Sequence, residues 1–167
     1  MISRRVRVDR IGYLTISATN LGLRQITFDN HQDGLPSCAD ATSAKANGFV
    51  ATALAELNNY SAGQLREFTV PLDPVGLPAG IQAVLAALRK VPYATTISYG
   101  ALASAAGRPR AARLAGNAMA RNPLPIIIPC HRVVAADGIG GYSPGLIWKH
   151  RLWDIEGLAW PQGTPCQ

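Results

Sequence analysis

A cysteine next to a histidine, inside a proline-rich run, is where the residue types of this 167-residue chain point to chemistry. The run is Asn122-Pro-Leu-Pro-Ile-Ile-Ile-Pro-Cys-His-Arg-Val-Val134. Prolines at 123, 125 and 129 exclude a helix through it and set much of its backbone. Cys130 therefore stands between a wall of isoleucines and a His-Arg pair, as a held nucleophile would. A free thiol has a pKa near 8.5, so only a few per cent is thiolate at pH 7, and nucleophilic work needs a base or a positive field. His131 is the nearest base. Successive residues of an extended segment point to opposite sides, so the imidazole would act through a water or a bend, with a carboxylate on its other nitrogen. Glu156 is the best acidic candidate in this half of the chain, and Asp154 is the spare. The residues alone leave a second reading open, a buried structural cysteine flanked by a core histidine.

The elements that must position this run are helical and alanine-rich. Ile81 to about Lys90 reads as a helix stopped by Pro92. Ser98 caps another through about Ala106, Gly107-Arg-Pro109 is a turn, and Arg110 to about Arg121 is a third helix. Two short helices joined by a turn form a helix-turn-helix pattern. Arg110, Arg113, Asn117 and Arg121 follow at helical spacing with no acid among them, which favours phosphates as their partners. Between them lie Ala111, Ala112, Ala115, Gly116, Ala118 and Ala120. Small residues let a helix come close either to its own core or to the minor groove, which is about 6 Å wide. After Cys130, Val133-Val-Ala and the turn Ala136-Asp-Gly138 suit a hairpin or wing-like loop. Ser143 caps a last helix with Pro144 at its first position, ending before Gly157. Glu156 falls at the C-terminal end of that helix, where the macrodipole disfavours an anion by about 0.3–1 kcal/mol, which suggests a cationic partner elsewhere, although an exposed, tolerated glutamate is the commoner case.

The first half is of a different kind. Val6 to about Phe28 is strand-like, with Tyr13 to Ala18 and Leu23 to Phe28 as hairpin partners around Asn20 to Gly22. Asn30 to Cys38 is a polar loop, Ser43 caps a helix to about Asn58, and Phe68-Thr-Val-Pro-Leu72 is a short strand. His31 and Cys38 read as loop residues. The expected class is α/β (α+β): a small mixed α/β N-terminal domain over residues 1–72, a Pro/Gly-rich linker at 73–80, and a mainly helical, winged helix-turn-helix-like domain over 81–167. Charge divides at the same place. Residues 1–77 hold seven Lys/Arg and seven Asp/Glu, whereas residues 78–167 hold nine and three and so carry the whole net charge of +6. A one-sided balance of this kind fits a polyanion partner for the second half, and charge alone fits a general solubility charge equally well. Cys38, Cys130 and Cys166 show no metal-ligand spacing, so no zinc site is expected. Neither a signal peptide nor an apolar run of membrane-spanning length is evident, and the chain reads as cytoplasmic.

The run Ile127-Ile-Pro-Cys-His-Arg-Val-Val134 resembles the active-site signature of the O6-alkylguanine-DNA alkyltransferases, or methylated-DNA–protein-cysteine methyltransferases. The resemblance extends through Val91-Pro-Tyr93, Ile97 to Ala103, Ala111-Ala-Arg113, Arg121 to Pro125, Gly141-Tyr-Ser143 and Glu156-Gly157, and more weakly through Ile11 to Leu14 and Phe68 to Asp73. It implies that Cys130 is the alkyl acceptor, that His131 activates it through a water, and that Glu156 orients the histidine. Asn122 would be the hinge between the recognition helix and the active-site segment. Arg113 would fill the space left by a flipped nucleotide, and Tyr99 would help rotate the nucleotide and assist guanine as it leaves. Tyr142 and the Ser143 backbone would donate to guanine O6, Val133 would accept from the exocyclic amine, and Met119 would form an apolar wall. Displacement at the alkyl carbon by a thiolate needs no cofactor and leaves a thioether with no hydrolytic exit. The implied partner is double-stranded DNA containing O6-alkylguanine, bound by a monomer or by several copies along the duplex.

Four departures from the family pattern carry expectations of their own. Gly80-Ile-Gln-Ala-Val-Leu85 redraws the packing of the first helix, and Ala94 stands where glycine is usual. Leu114 is large for a groove-facing helix and would alter the approach to DNA. Pro144 replaces a loop glycine and would stiffen the pocket wall against bulky alkyl groups. Two rivals are a non-catalytic DNA-binding protein, against which the cysteine speaks, and a cysteine hydrolase, which leaves the arginine helix unexplained.

Overall fold

The computed structural model describes residues 1–29 and 43–161, so His31, Cys38, the 30–38 loop and Cys166 lie outside the described residues. The chain forms two compact units, Met1–Val75 and Gly76–Gln167. Asp73 is held by Thr19 Oγ1 at 2.6 Å and Arg24 Nη2 at 2.7 Å, and a helix already begins at Ala79.

In the first unit β1 (Ile2–Val8), β2 (Gly12–Ala18) and β3 (Leu23–Phe28) form an antiparallel sheet in that order. Ile2, Val6 and Val8 of β1 and Leu14, Ile16 and Ala18 of β2 are buried, a period of two that puts one face of each strand in the core. α1 (Ala44–Ser61) begins after Ser43, whose Oγ accepts from the Ala46 amide at 3.2 Å. Its Ala46, Val50, Ala53 and Leu57 are buried at helical spacing. The strand expected at Phe68–Leu72 is only an isolated bridge between Leu72 and Leu23. Buried Glu56 explains this, because its carboxylate takes the amides of Thr69 (3.0 Å) and Val70 (3.3 Å) that a ladder would use. Pro71 has no amide to offer.

The second unit contains α2 (Ala79–Leu88), β4 (Ile97–Ser98), α3 (Tyr99–Ala105), α4 (Ala112–Ala120), β5 (Val133–Val134) and α5 (Leu146–Glu156). α2 buries Ile81, Val84, Leu85 and Leu88, each such side chain contributing about 1.5–3 kcal/mol. Ser98 Oγ caps α3 by accepting from Ala101 N at 3.2 Å. α4 starts later than its sequence suggests. Arg110 has φ +68° and lies before the helix, Ala111 is its N-cap and Arg121 its C-cap. A proline disfavours helical backbone in the residue before it, and the turn closes through Ala111 N to Arg108 O at 3.1 Å. Of the four residues expected on one face, only Arg113 and Asn117 lie within α4. β5 pairs in parallel with β4 (Ile97 with Val133, Ser98 with Val134), which sets the start of α3 beside the chain leaving Cys130. The expected hairpin after Val134 is a single bridge, Ala135 to Gly138. α5 is not capped by Ser143. Its N-cap is Gly145 at φ +114°, so Pro144 lies outside the helix, and Gly157 at φ +71° ends it.

Candidate active site

The arch from Asn122 to Pro129 is closed by Asn122, whose Nδ2 donates to Ile128 O at 2.8 Å while its Oδ1 accepts from Leu124 N at 3.1 Å. One amide side chain thus ties both ends of a segment whose prolines leave it few backbone donors. Leu124, Ile126, Ile127 and Ile128 are buried inside it. Ile126 adopts φ +74°, a region a β-branched residue rarely enters, and burial on all sides holds it there.

Cys130–Arg132 is a 3₁₀ turn, not the extended segment expected. With about three residues per turn, neighbouring side chains diverge by roughly a third of a circle instead of opposing one another. Cys130 is buried and reaches a cavity of about 320 Å³ walled by Tyr99, Gly116, Met119, Ala120, Gly141, Tyr142, Ser143 and Pro144. His131 turns to the other side, where its Nε2 lies 2.7 Å from Glu156 Oε1, both side chains fully buried. An imidazole that donates from Nε2 keeps Nδ1 as its acceptor, the state a general base needs.

Arg132 completes this network. Its Nε lies 3.1 and 3.2 Å from the two Glu156 oxygens, Nη2 donates to Oε1 at 2.9 Å, and Nη1 donates to Val91 O at 2.6 Å. The Ala94 amide donates to Glu156 Oε2 at 3.0 Å, and Ala94 reaches that position only at φ +57°, which accounts for the usual glycine there. Trp153 Nε1 donates to His131 O at 2.7 Å, fixing the turn to α5. Lys149, fully buried, donates to Val133 O at 2.7 Å and Ile139 O at 2.5 Å, joining α5 to β5 and to the loop that carries Tyr142 and Ser143.

The electrostatics follow from this geometry. Burial alone would raise the Glu156 carboxyl, but the His131 hydrogen bond and the Arg132 guanidinium outweigh it and hold the group at about 2. Burial pushes the His131 imidazole down despite Glu156, so it is neutral near pH 7 and Arg132 is the cation balancing Glu156. Burial also pushes the Cys130 thiol up, against hydrogen bonds from Asn122 and Tyr142 and the Lys149 charge. Burial lowers Lys149 to about 8 and raises Tyr99, with Cys130 adding to the rise. The site therefore holds a protonated thiol beside a neutral imidazole whose far side rests on a fixed anion.

Comparison with known proteins bears on the whole chain. Residues 10–74 match the model for the ribonuclease-like domain of 6-O-methylguanine DNA methyltransferase, and residues 81–158 match its DNA-binding domain. A methylated-DNA–protein-cysteine methyltransferase of Methanosarcina acetivorans is 43% identical over 148 residues, covering 88% of this chain and 93% of the relative. The chain belongs to the methylated-DNA–protein-cysteine methyltransferase family. The Mycobacterium leprae member is 46% identical over 111 residues, 66% of this chain and 67% of that one. The crystal structure of Mycobacterium tuberculosis OGT in complex with DNA superposes with a TM-score of 0.78 at 36% identity, covering 92% of this chain and 91% of that one.

Against the family pattern, the fold brings Cys130, Tyr99, Met119, Tyr142, Ser143 and Pro144 to one cavity and joins His131 to Glu156 behind it. Val133 is buried but is not a wall of that cavity, and its carbonyl already accepts from Lys149. On α4, Gly116 lines the cavity while Ala112, Arg113 and Asn117 are exposed, with Arg110, Ala111 and Arg121 flanking the helix. Leu114 does not face a groove with them. Its methyl carbons lie 3.6 and 3.7 Å from where a Cβ of Gly80 would be, so the large residue fills space against α2. Sequence reasoning missed Arg132, Lys149 and Trp153. The signal for Arg132 was the unfavourable place of Glu156 at its helix end, which suggested a cationic partner without naming one. Among the described residues no His/Cys/Asp/Glu group has a metal-binding arrangement, and no helix is long and apolar enough to cross a membrane.

Proposed function

We propose that this protein repairs DNA by direct reversal, moving the alkyl group of an O6-alkylguanine in duplex DNA onto Cys130, once per molecule. The observation that carries the reading is the placement of a buried thiol at a cavity walled by α4, with the His131–Glu156–Arg132 network behind it. A base cannot present O6 to a sulfur inside the stack, so it leaves the helix, which costs a few kcal/mol and less at a weakened pair. α4 has small residues on its exposed side and a lone long cation, Arg113, which fits entry from the minor groove with Arg113 filling the vacated stack. Arg110 and Arg121 hold phosphates, and Ala111, Ala112 and Gly116 let the backbone approach.

In the cavity the thiol proton passes to His131 through a water, Glu156 holding the imidazole in the tautomer that accepts it. The Cys130 sulfur attacks the alkyl carbon, an S–C bond forms and the C–O6 bond breaks, its electron pair remaining on guanine. Tyr142 OH and the Ser143 amide donate hydrogen bonds to O6, Tyr99 OH gives its proton to N3, and the proton taken up by His131 returns through water to the Tyr99 oxygen, so the base leaves as neutral guanine and both side chains are restored. The Val133 carbonyl accepts from the exocyclic amine, and Met119 and Pro144 bound the alkyl group. Asn122 transmits motion of α4 to the thiol. The protein acts as a monomer, alone or in several copies along the duplex, in the cytoplasm, with residues 81–167 holding the chemistry.

Titrating a duplex containing O6-methylguanine with protein tests this. Repaired lesions should equal the protein added and then stop. Continued turnover, or no repair at any ratio, would overturn it.

A further inference from the structure

Asn117 is an odd residue for its place. It is exposed in the middle of α4, one turn after Arg113, and its side chain makes no hydrogen bond to any described residue. Asparagine is a weaker helix former than the alanines around it, and the fold gains no contact from it. It sits next to Gly116, which lines the cavity at Cys130, on a side whose other exposed helical residues are small apart from Arg113. The cations Arg110 and Arg121 flank the same helix, and no acid lies within it.

We propose that Asn117 reads a base edge beside the lesion and makes repair depend on the flanking base pairs. The inference rests on the DNA-repair reading above and names a specificity for it. Four residues along a helix span about 6 Å, less than two base-pair steps of about 3.4 Å, so Asn117 reaches a pair adjacent to the site Arg113 occupies. In the minor groove an A·T pair offers only acceptors, whereas G·C adds the guanine N2 donor. The carboxamide carries both functions. Against G·C it accepts at Oδ1 from guanine N2 and donates from Nδ2 to guanine N3. Against A·T it only donates, and Oδ1 loses water without a partner. G·C flanks are the better match.

The test uses the full-length protein and duplexes that differ only in the pairs flanking one O6-methylguanine, with single-turnover methyl transfer as the readout. Wild type should repair the G·C-flanked lesion about fivefold faster than the A·T-flanked one, equal to about 1 kcal/mol of discrimination. N117A, which replaces an exposed residue by a better helix former, should bring the ratio close to one. Equal or reversed rates in wild type overturn the inference, as does an N117A protein that keeps the wild-type ratio while slowing on every duplex. Transfer without flanking dependence sinks this inference alone. Absence of any transfer from any duplex sinks the repair reading with it.

Discussion

Replacing Glu156 by glutamine keeps the shape of the side chain and removes the charge on which the buried network rests. The wild-type carboxyl is held at about 2, against an ordinary 4.5, a shift equivalent to about 3 kcal/mol of preference for the folded anion. A second route gives a similar size. Arg132 is buried, its fork is spent on Glu156 and Val91 O, and a buried charge stripped of its partner costs about 3–5 kcal/mol. Glu156→Gln should therefore lose about 3 kcal/mol in urea unfolding at pH 7. The pH dependence carries the sign. A group whose folded pKa is depressed contributes fully above its unfolded pKa and loses that contribution as pH falls through the folded value. Wild type should lose stability between about pH 4.5 and 2 in excess of the variant, which lacks this titration. The double variant Glu156→Gln/Arg132→Met should be less destabilised than the sum of the single ones, by about 2 kcal/mol, because neither charge is then stranded. A variant within 1 kcal/mol of wild type, an unchanged acid limb or strict additivity would refute the reasoning. Methyl transfer by Glu156→Gln should also slow by about 10²-fold, as the imidazole loses its fixed tautomer.

Three further outcomes follow from other parts of the molecule. Ala94→Gly should stabilise the protein by about 0.5–1 kcal/mol, since relief of the left-handed backbone exceeds the added chain entropy of glycine; a less stable variant in urea would contradict this. Arg113→Ala should slow repair in duplex DNA far more than reaction with the free base O6-benzylguanine, and equal losses on both would remove its role in flipping. Arg110→Ala should lower the salt dependence of duplex binding by about one unit of log K against log salt, a change that titration at several ionic strengths would reveal or exclude.

What the sequence made legible were features with a local physical signature. Alternating apolar residues marked β2 and β3, Ser43 and Ser98 marked helix starts, and Gly157 marked a helix end. Glu156 stood out as an anion misplaced against its helix dipole, which left open a cationic partner or an exposed, tolerated carboxylate; burial against Arg132 decides for the partner. Other features depended on tertiary context. Phe68–Leu72 has strand composition, but the Glu56 carboxylate takes the amides of Thr69 and Val70, 13 and 14 residues downstream of it. Arg110 fits helical spacing, yet it takes φ +68° in the turn before α4. Ser143 is a plausible cap, but the chain passes it to begin α5 at Gly145. Lys149 shows nothing in sequence of its burial, because its carbonyl partners come from β5 and a loop. At Cys130 the residues alone did not separate a nucleophile from a structural thiol, and the Pro-Cys-His-Arg-Val resemblance did.

The central claim is that one particular sulfur accepts the alkyl group. Peptide mapping by mass spectrometry, after reaction with a duplex containing O6-methylguanine, tests it most directly. One added methyl on the peptide bearing Cys130, with none on those bearing Cys38 or Cys166, is the predicted result. A methyl on either of the other cysteines, or an unmodified Cys130 after the lesion has been repaired, would contradict it.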